Sequence, residues 1–409
     1  MPEFINNPYF VLMLAVFLGA VCYVTWRPEA APTFLFLLLS ALWVFYEVTD
    51  MQRVAFLKAV LLLVLMVVLL LRKIQSGGKI PLTGPTWVIS YLASVVLSCL
   101  INGTDINQYR GSLGILLIPL VVALCPNNEK TVKYLTVAFA FWGLANFLTV
   151  VANWAGVGWA RAFVTEDLTN VTARAAGLMG HSSLMGMYFV ISLNAVHVFF
   201  YQAKTKLGRL LLLTLGAGLA LGLLGTVSVA AFGGWLVSFM FIQYRLRGLR
   251  VGSMVGLGTV AGLILWLNAL FQKGGTLMIK RFTFLNVDPS AQGRLPLLQM
   301  GMKRFLTNPL LGVGLGQGGR VHLEAHNMFM QVLMETGIMG FTLFCGVLWS
   351  AVRRLHRRTG ADETGALTPE AAYYVGLLGT LAAILIDGLA HSNDYLMPLW
   401  LLIGIAFMV

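Results

Sequence analysis

Residues 312–327 read GVGLGQGGRVHLEAHN: five glycines, one arginine, two histidines and a glutamate within sixteen residues. Gly314, Gly316 and Gly319 spell G-x-G-x-x-G, and His322 and His326 stand four apart with Glu324 between them. The flanks decide how this stretch folds. Ahead of it, RLPLLQMGMKRFLTNP (294–309) puts Leu298, Met302, Phe305 and Leu306 on one helical face opposite Lys303 and Arg304, and Asn308-Pro309 stops the helix. Behind it, residues 327–350 form an apolar run whose one charge is Glu335. A run of about 20 apolar residues is what a helix needs to cross a bilayer. The stretch is therefore a loop between an interfacial helix and a membrane span. A dinucleotide loop would need a strand before the glycines and an acid about 20 residues on within a βαβ unit. A zinc site is also disfavoured, because catalytic zinc usually takes three protein ligands and no third stands close in sequence. No metal and no cofactor is expected.

The same apolar pattern repeats along the chain of 409 residues, which is 58% hydrophobic and 11% charged with a mean hydropathy of +0.82. A soluble domain is about a quarter charged. The expected fold is an all-α polytopic membrane protein, one integral membrane domain over 1–409. Its spans are expected near 9–26, 31–47, 54–71, 86–101, 111–125, 132–153, 184–201, 210–227, 229–244, 251–271, 327–350, 371–390 and 395–409, giving twelve or thirteen crossings. Little more than Ser228 separates 210–227 from 229–244, so those two are either a hairpin or one broken helix. The first apolar run leads into TWRPEAAP (25–32), not a small-residue cleavage site, so it is expected to stay as a membrane segment. Cys22, Cys99, Cys125 and Cys345 lie in or beside spans and read as small apolar residues.

Charge sets the orientation. More than half of the 28 Lys and Arg residues crowd into one set of loops, around Arg72–Lys79, Lys130–Lys133, Lys204–Arg209, Arg245–Arg250 and Arg353–Arg358, with Arg27. Loops of this kind face the cytoplasm. The alternate loops, including 154–183 and 272–326, then face outward, where no topogenic rule asks for positive charge. Yet 154–183 carries Arg161, Arg174 and His181, and 272–326 carries Lys273, Lys280, Arg281, Arg294, Lys303, Arg304 and Arg320 against only Asp288 and Glu324. Attraction to anionic headgroups explains part of this, the lysines and Arg304 first. An anionic substrate at the outer boundary explains the rest. Arginine offers a planar fork of donors that matches phosphate, so Arg161, Arg174, Arg294 and Arg320 are the candidate phosphate clamp. His326 is the candidate general base at the mouth of the following span, since an imidazole titrates near neutral pH.

These residues carry a resemblance. An Arg-led amphipathic segment, Asn-Pro-Leu-x-Gly-x-Gly, a spacer, His-Asn and an apolar helix with Glu-x-Gly-x-x-Gly resemble the signature of the O-antigen ligase and O-antigen polymerase superfamily. Arg294, Pro309, Gly312, Gly314, His326, Asn327, Glu335, Gly337 and Gly340 fall on it, and ARAAGLMGHSSLMGMYFVIS (173–192) is similar to its upstream element through Arg174, Gly177 and Gly186. One departure stands out: relatives often carry Ser-Arg-Gly between two central spans, and Val229 follows Ser228 here. The resemblance implies a C-type glycosyltransferase (GT-C) in the bacterial inner membrane with a periplasmic site. It implies a donor glycan on undecaprenyl pyrophosphate and, for a ligase, a sugar hydroxyl of lipid A-core as acceptor. For a polymerase the acceptor is another lipid-linked repeat unit. His326 would take the acceptor's proton, Arg161, Arg174, Arg294 and Arg320 would hold the pyrophosphate, and the anomeric carbon would invert without a metal. Asn327, Glu335 and His181 are expected in supporting roles, and Asp387 as a buried hydrogen-bonding partner. Membrane lipids are expected partners and nucleic acid is not. A flippase or other transporter is the rival of another class, but it would concentrate polar groups at the bilayer midplane, whereas here they gather at the boundary.

Overall fold

Helix ends follow the capping residues that interrupt the apolar pattern. The computed structural model describes residues 26–46, 51–78, 83–104, 110–155, 181–226, 228–248, 289–316, 325–360, 367–392 and 396–408, the pairs 164–165 and 174–175, and a few single positions. Thirteen helices occur among the described residues. The first six are α1 (Ala31–Tyr46), α2 (Met51–Gln75), α3 (Thr83–Ile101), α4 (Arg110–Ile115), α5 (Ile118–Ala123) and α6 (Glu129–Trp154). The rest are α7 (Ser182–Gln202), α8 (Lys206–Gly225), α9 (Val229–Arg247), α10 (Pro289–Thr307), α11 (Met328–Arg357), α12 (Pro369–Asp387) and α13 (Met397–Phe407). Thr205, Ser228, Asn327 and Thr368 cap α8, α9, α11 and α12, each side-chain oxygen accepting a first-turn amide.

Seven of these helices, α3, α6, α7, α8, α9, α11 and α12, are long and apolar enough to cross a membrane. The chain is a multi-pass helical membrane protein. The expected spans 9–26 and 251–271 lie almost wholly outside the described residues. Two other expectations are corrected. The run 111–125 is not one helix: Pro119 brings no amide to a continuing helix, so α4 stops and α5 begins anew with proline in its first turn. The run 395–409 holds only the 11-residue α13, about 16 Å long against a hydrocarbon core of about 30 Å. It is wrapped by neighbours, with Trp400 stacked on Tyr91 at 5.8 Å.

Helix α7 lies at the centre, buried along most of its length beside α6, α8, α9 and α12. Its Gly186 meets Thr226, Ser228 and Ala231, its Phe189 meets Gly222, and Arg247 stacks over its Phe200 and Tyr201 at 5.6 and 5.7 Å. Hence α8 runs antiparallel to α7 and α9 runs with it, so 210–244 is a hairpin turning at Thr226–Ser228. Interior polar groups also link the helices: Asn194 donates to Thr380 Oγ1 (3.3 Å) and accepts from Ser238 Oγ (3.0 Å), joining α7, α9 and α12.

The basic clusters gather at one end. Arg245 donates to Thr359 O and Oγ1 at 2.8 Å, Arg354 lies over Phe407, Gln202 donates to Pro369 O, and Tyr374 donates to Asn127. The opposite end holds His181, the Thr226–Ser228 turn, the start of α11 and the close of α12.

Candidate active site

At that opposite end α11 is broken. Gly337 takes φ 64° and ψ −170°, far from helical values, which strands the carbonyls of Met334 and Glu335 and the amides of Ile338 and Met339. Buried backbone groups need partners, and residues 309–314 supply them. Val313 N donates to Met334 O and Gly314 N to Glu335 O, both at 3.0 Å, while Pro309 O and Leu310 O accept from Ile338 and Met339 at 2.9 and 3.3 Å. The two backbones cross so closely that a Cβ on Gly312 would sit 2.5 Å from Glu335 O and Gly337 N, and one on Gly337 would strike the Leu310 carbonyl. Both glycines also have positive φ, so space and conformation each demand the residue. Pro-Leu-x-Gly-x-Gly and Glu-x-Gly are thus two halves of one joint. Helix α3 braces it: Ser98 Oγ donates to Glu335 O at 2.7 Å and Asn102 Nδ2 to Gly312 O at 2.9 Å.

The Glu335 side chain turns toward the glycine loop. Its Oε1 accepts from Gly316 N at 2.9 Å and from Gln331 Nε2 at 2.6 Å, and Gln331 Oε1 accepts from Ala325 N at 2.9 Å. Gly316 and Ala325 are the two described flanks of segment 317–324. One buried helical turn therefore pins both ends of that segment. Glu335 makes these contacts from about 10 Å down the helix.

His326 follows Ala325 directly. It is exposed, and at φ 46° it is the one described non-glycine residue with positive φ. Such a conformation costs of order 1–3 kcal/mol and persists where surroundings over-determine it. The surroundings do so here. Asn327 Oδ1 accepts from Met330 N and its Nδ2 donates to Leu389 O, both at 2.9 Å, and Met328 N donates to Gly388 O at 2.7 Å. The imidazole is carried on a rigid stalk between the latched loop and the end of α12.

Helix α10 packs on this helix start through Gly301, which faces Met330 and Ala325, and Arg294 lies about two turns before that contact. Arg294 is half-buried. Leu298 and Phe305 are half-buried with Arg304, whereas Leu295, Met302, Leu306 and Leu310 are exposed. Packing on α11 draws in one side of the helix and leaves a second apolar stripe facing outward. Arg174 lies in a two-residue ladder, Val164–Thr165 against Arg174–Ala175, that rests on α7 and α8. This is a strand pair within the otherwise helical fold. His181 is the exposed residue preceding α7. Arg161 and Arg320 lie outside the described residues, as do His322 and Glu324.

Sequence reasoning passed over Gln331 and His391; the latter is the partner of the buried Asp387, with Nδ1 and Oδ2 3.1 Å apart at the close of α12. An i, i+4 Asp–His pair ending an apolar run was the signal available. Cys99, Cys125 and Cys345 are free thiols.

No curated protein matches the chain. A family model described as O-antigen ligase matches residues 210–345, covering α8, α9, α10, the glycine joint and most of α11. The matched segment, about a third of the chain, contains Arg294, His326, Asn327, Glu335 and Gly337, and in that segment the chain is similar to the O-antigen ligase family.

Proposed function

We propose that the protein is an O-antigen ligase. It transfers a glycan from undecaprenyl pyrophosphate to a sugar hydroxyl of lipid A-core on the periplasmic face of the bacterial inner membrane. The observation that carries this is His326, exposed on a strained turn that a helix cap, a buried Glu–Gln latch and the end of α12 hold in place. A fixed imidazole at the mouth of a span suits proton abstraction from a hydroxyl. The acceptor oxygen attacks the anomeric carbon as its proton passes to His326. The anomeric carbon–oxygen bond breaks on the opposite face, so the configuration inverts. The undecaprenyl pyrophosphate leaves with its negative charge, and Arg161, Arg174, Arg294 and Arg320 hold it, with preorganised cations in a low-dielectric boundary doing the work of an acid.

In this reading the single membrane domain (1–409) makes about twelve crossings in a GT-C-type arrangement. The basic end faces the cytoplasm, and loops 154–183 and 272–326 face the periplasm. His181 lines the site. The test is reconstitution of the purified protein with lipid-pyrophosphate glycan and rough lipopolysaccharide, with and without chelator. Glycan transfer to lipid A-core that survives chelation is expected. Lengthening of the lipid-linked chain alone would make the protein a polymerase, and a strict metal requirement would overturn the role given to the arginines.

A further inference from the structure

A second histidine follows the turn that closes α12. His391 Nδ1 lies 3.1 Å from Asp387 Oδ2, with 14% of the histidine side chain and 2% of the aspartate side chain exposed. The turn between them is tied to the segment bearing His326, because Gly388 O accepts from Met328 N at 2.7 Å and Leu389 O accepts from Asn327 Nδ2 at 2.9 Å. A carboxylate on Nδ1 fixes the ring and its tautomer, as it does in metal and triad sites. With Nδ1–H donated to Asp387, Nε2 is left as a hydrogen-bond acceptor.

The charge here also differs from that of the arginine-bearing elements. A buried carboxylate repels a pyrophosphate but not a neutral hydroxyl. The cationic residues Arg294 and Arg174 sit on other elements, α10 and the short strand ladder. We propose that His391, oriented by Asp387, forms the acceptor-sugar subsite. Its Nε2 accepts a hydrogen bond from a hydroxyl of the acceptor sugar, while the proton lost in the reaction goes to His326. The inference rests on the transferase reading above. It adds which side of the site each substrate occupies, with the donor pyrophosphate toward the arginines and the acceptor sugar toward the close of α12. His391 binds substrate in this account, and Asp387 is a positioning residue.

The test uses the full-length protein in proteoliposomes with lipid-pyrophosphate glycan as donor. Rough lipopolysaccharide is the acceptor in one arm and lipid-linked repeat units in the other. His391→Asn, at a partly exposed position, and Asp387→Asn, which removes the carboxylate that orients the ring, are compared with wild type. In whichever arm wild type is active, both variants should raise the acceptor KM by about three- to tenfold, the worth of one hydrogen bond. The donor KM should stay within about twofold. A merely structural pair would move both KM values together, and that result overturns the proposal. Unchanged acceptor KM in His391→Asn with an active wild type overturns this inference alone. Wild type inactive in both arms overturns the transferase reading and this inference with it.

Discussion

Replacing Glu335 with alanine should release the glycine loop. The carboxylate accepts from Gly316 N and Gln331 Nε2 in a setting where Glu335 is 3% and Gln331 7% exposed. Removing it leaves the buried Gln331 amide and the half-buried Gly316 N–H without that acceptor, at about 1–3 kcal/mol for the buried one and less for the other. Gln331 also loses the partner that holds its own carbonyl against Ala325 N. Both flanks of 317–324 then come loose from α11, and His326 loses one side of its support. If about 3 kcal/mol of this falls on the positioning of His326, turnover drops about a hundredfold, at 1.36 kcal/mol per factor of ten. Glu335→Gln keeps an oxygen able to accept from the same two donors and gives up only the charge, so about a fivefold loss is expected. The assay pairs transfer turnover with hydrogen exchange of peptides covering 313–331. Glu335→Ala should speed exchange there and leave α7 and α12 protected. Wild-type turnover with unchanged exchange over 313–331 would refute the latch.

Other perturbations follow from the same geometry. Gly337→Ala forces a Cβ into the Leu310 carbonyl at a positive φ. It should cost more than about 3 kcal/mol in stability, read as a lowered melting temperature in detergent. Asn327→Ala removes a helix cap and the tie to Leu389. About 1–2 kcal/mol is expected, and Asn327→Asp should restore the cap, as a thermal-shift series would report, but not the tie. Pro119→Ala restores an amide at the α4–α5 break and should leave turnover unchanged, since the break lies away from His326.

The membrane class was legible because it rests on a one-dimensional property, apolar run length, and the reading of the loops rests on another, Lys/Arg bias. The gathering of the Arg72–Lys73, Lys204–Arg209, Arg245–Arg247 and Arg353–Arg358 clusters at one end agrees with that reading of the loops. The joint between Gly312 and Gly337 was not legible. Its two glycines are far apart in sequence, and only their crossing shows why each is needed. Gln331 reads as one polar residue in an apolar helix until its bond to Ala325 is seen. Likewise, hydropathy counts α13 as a span, although its length falls short and its burial is complete.

The central claim is that His326 is the base, and turnover of His326→Ala measures it most directly. With lipid-pyrophosphate glycan and rough lipopolysaccharide in proteoliposomes, the variant should lose at least about a hundredfold in transfer, the usual contribution of a general base. Its melting temperature and membrane insertion should match wild type, since the side chain is exposed. Wild-type turnover in His326→Ala would contradict the account.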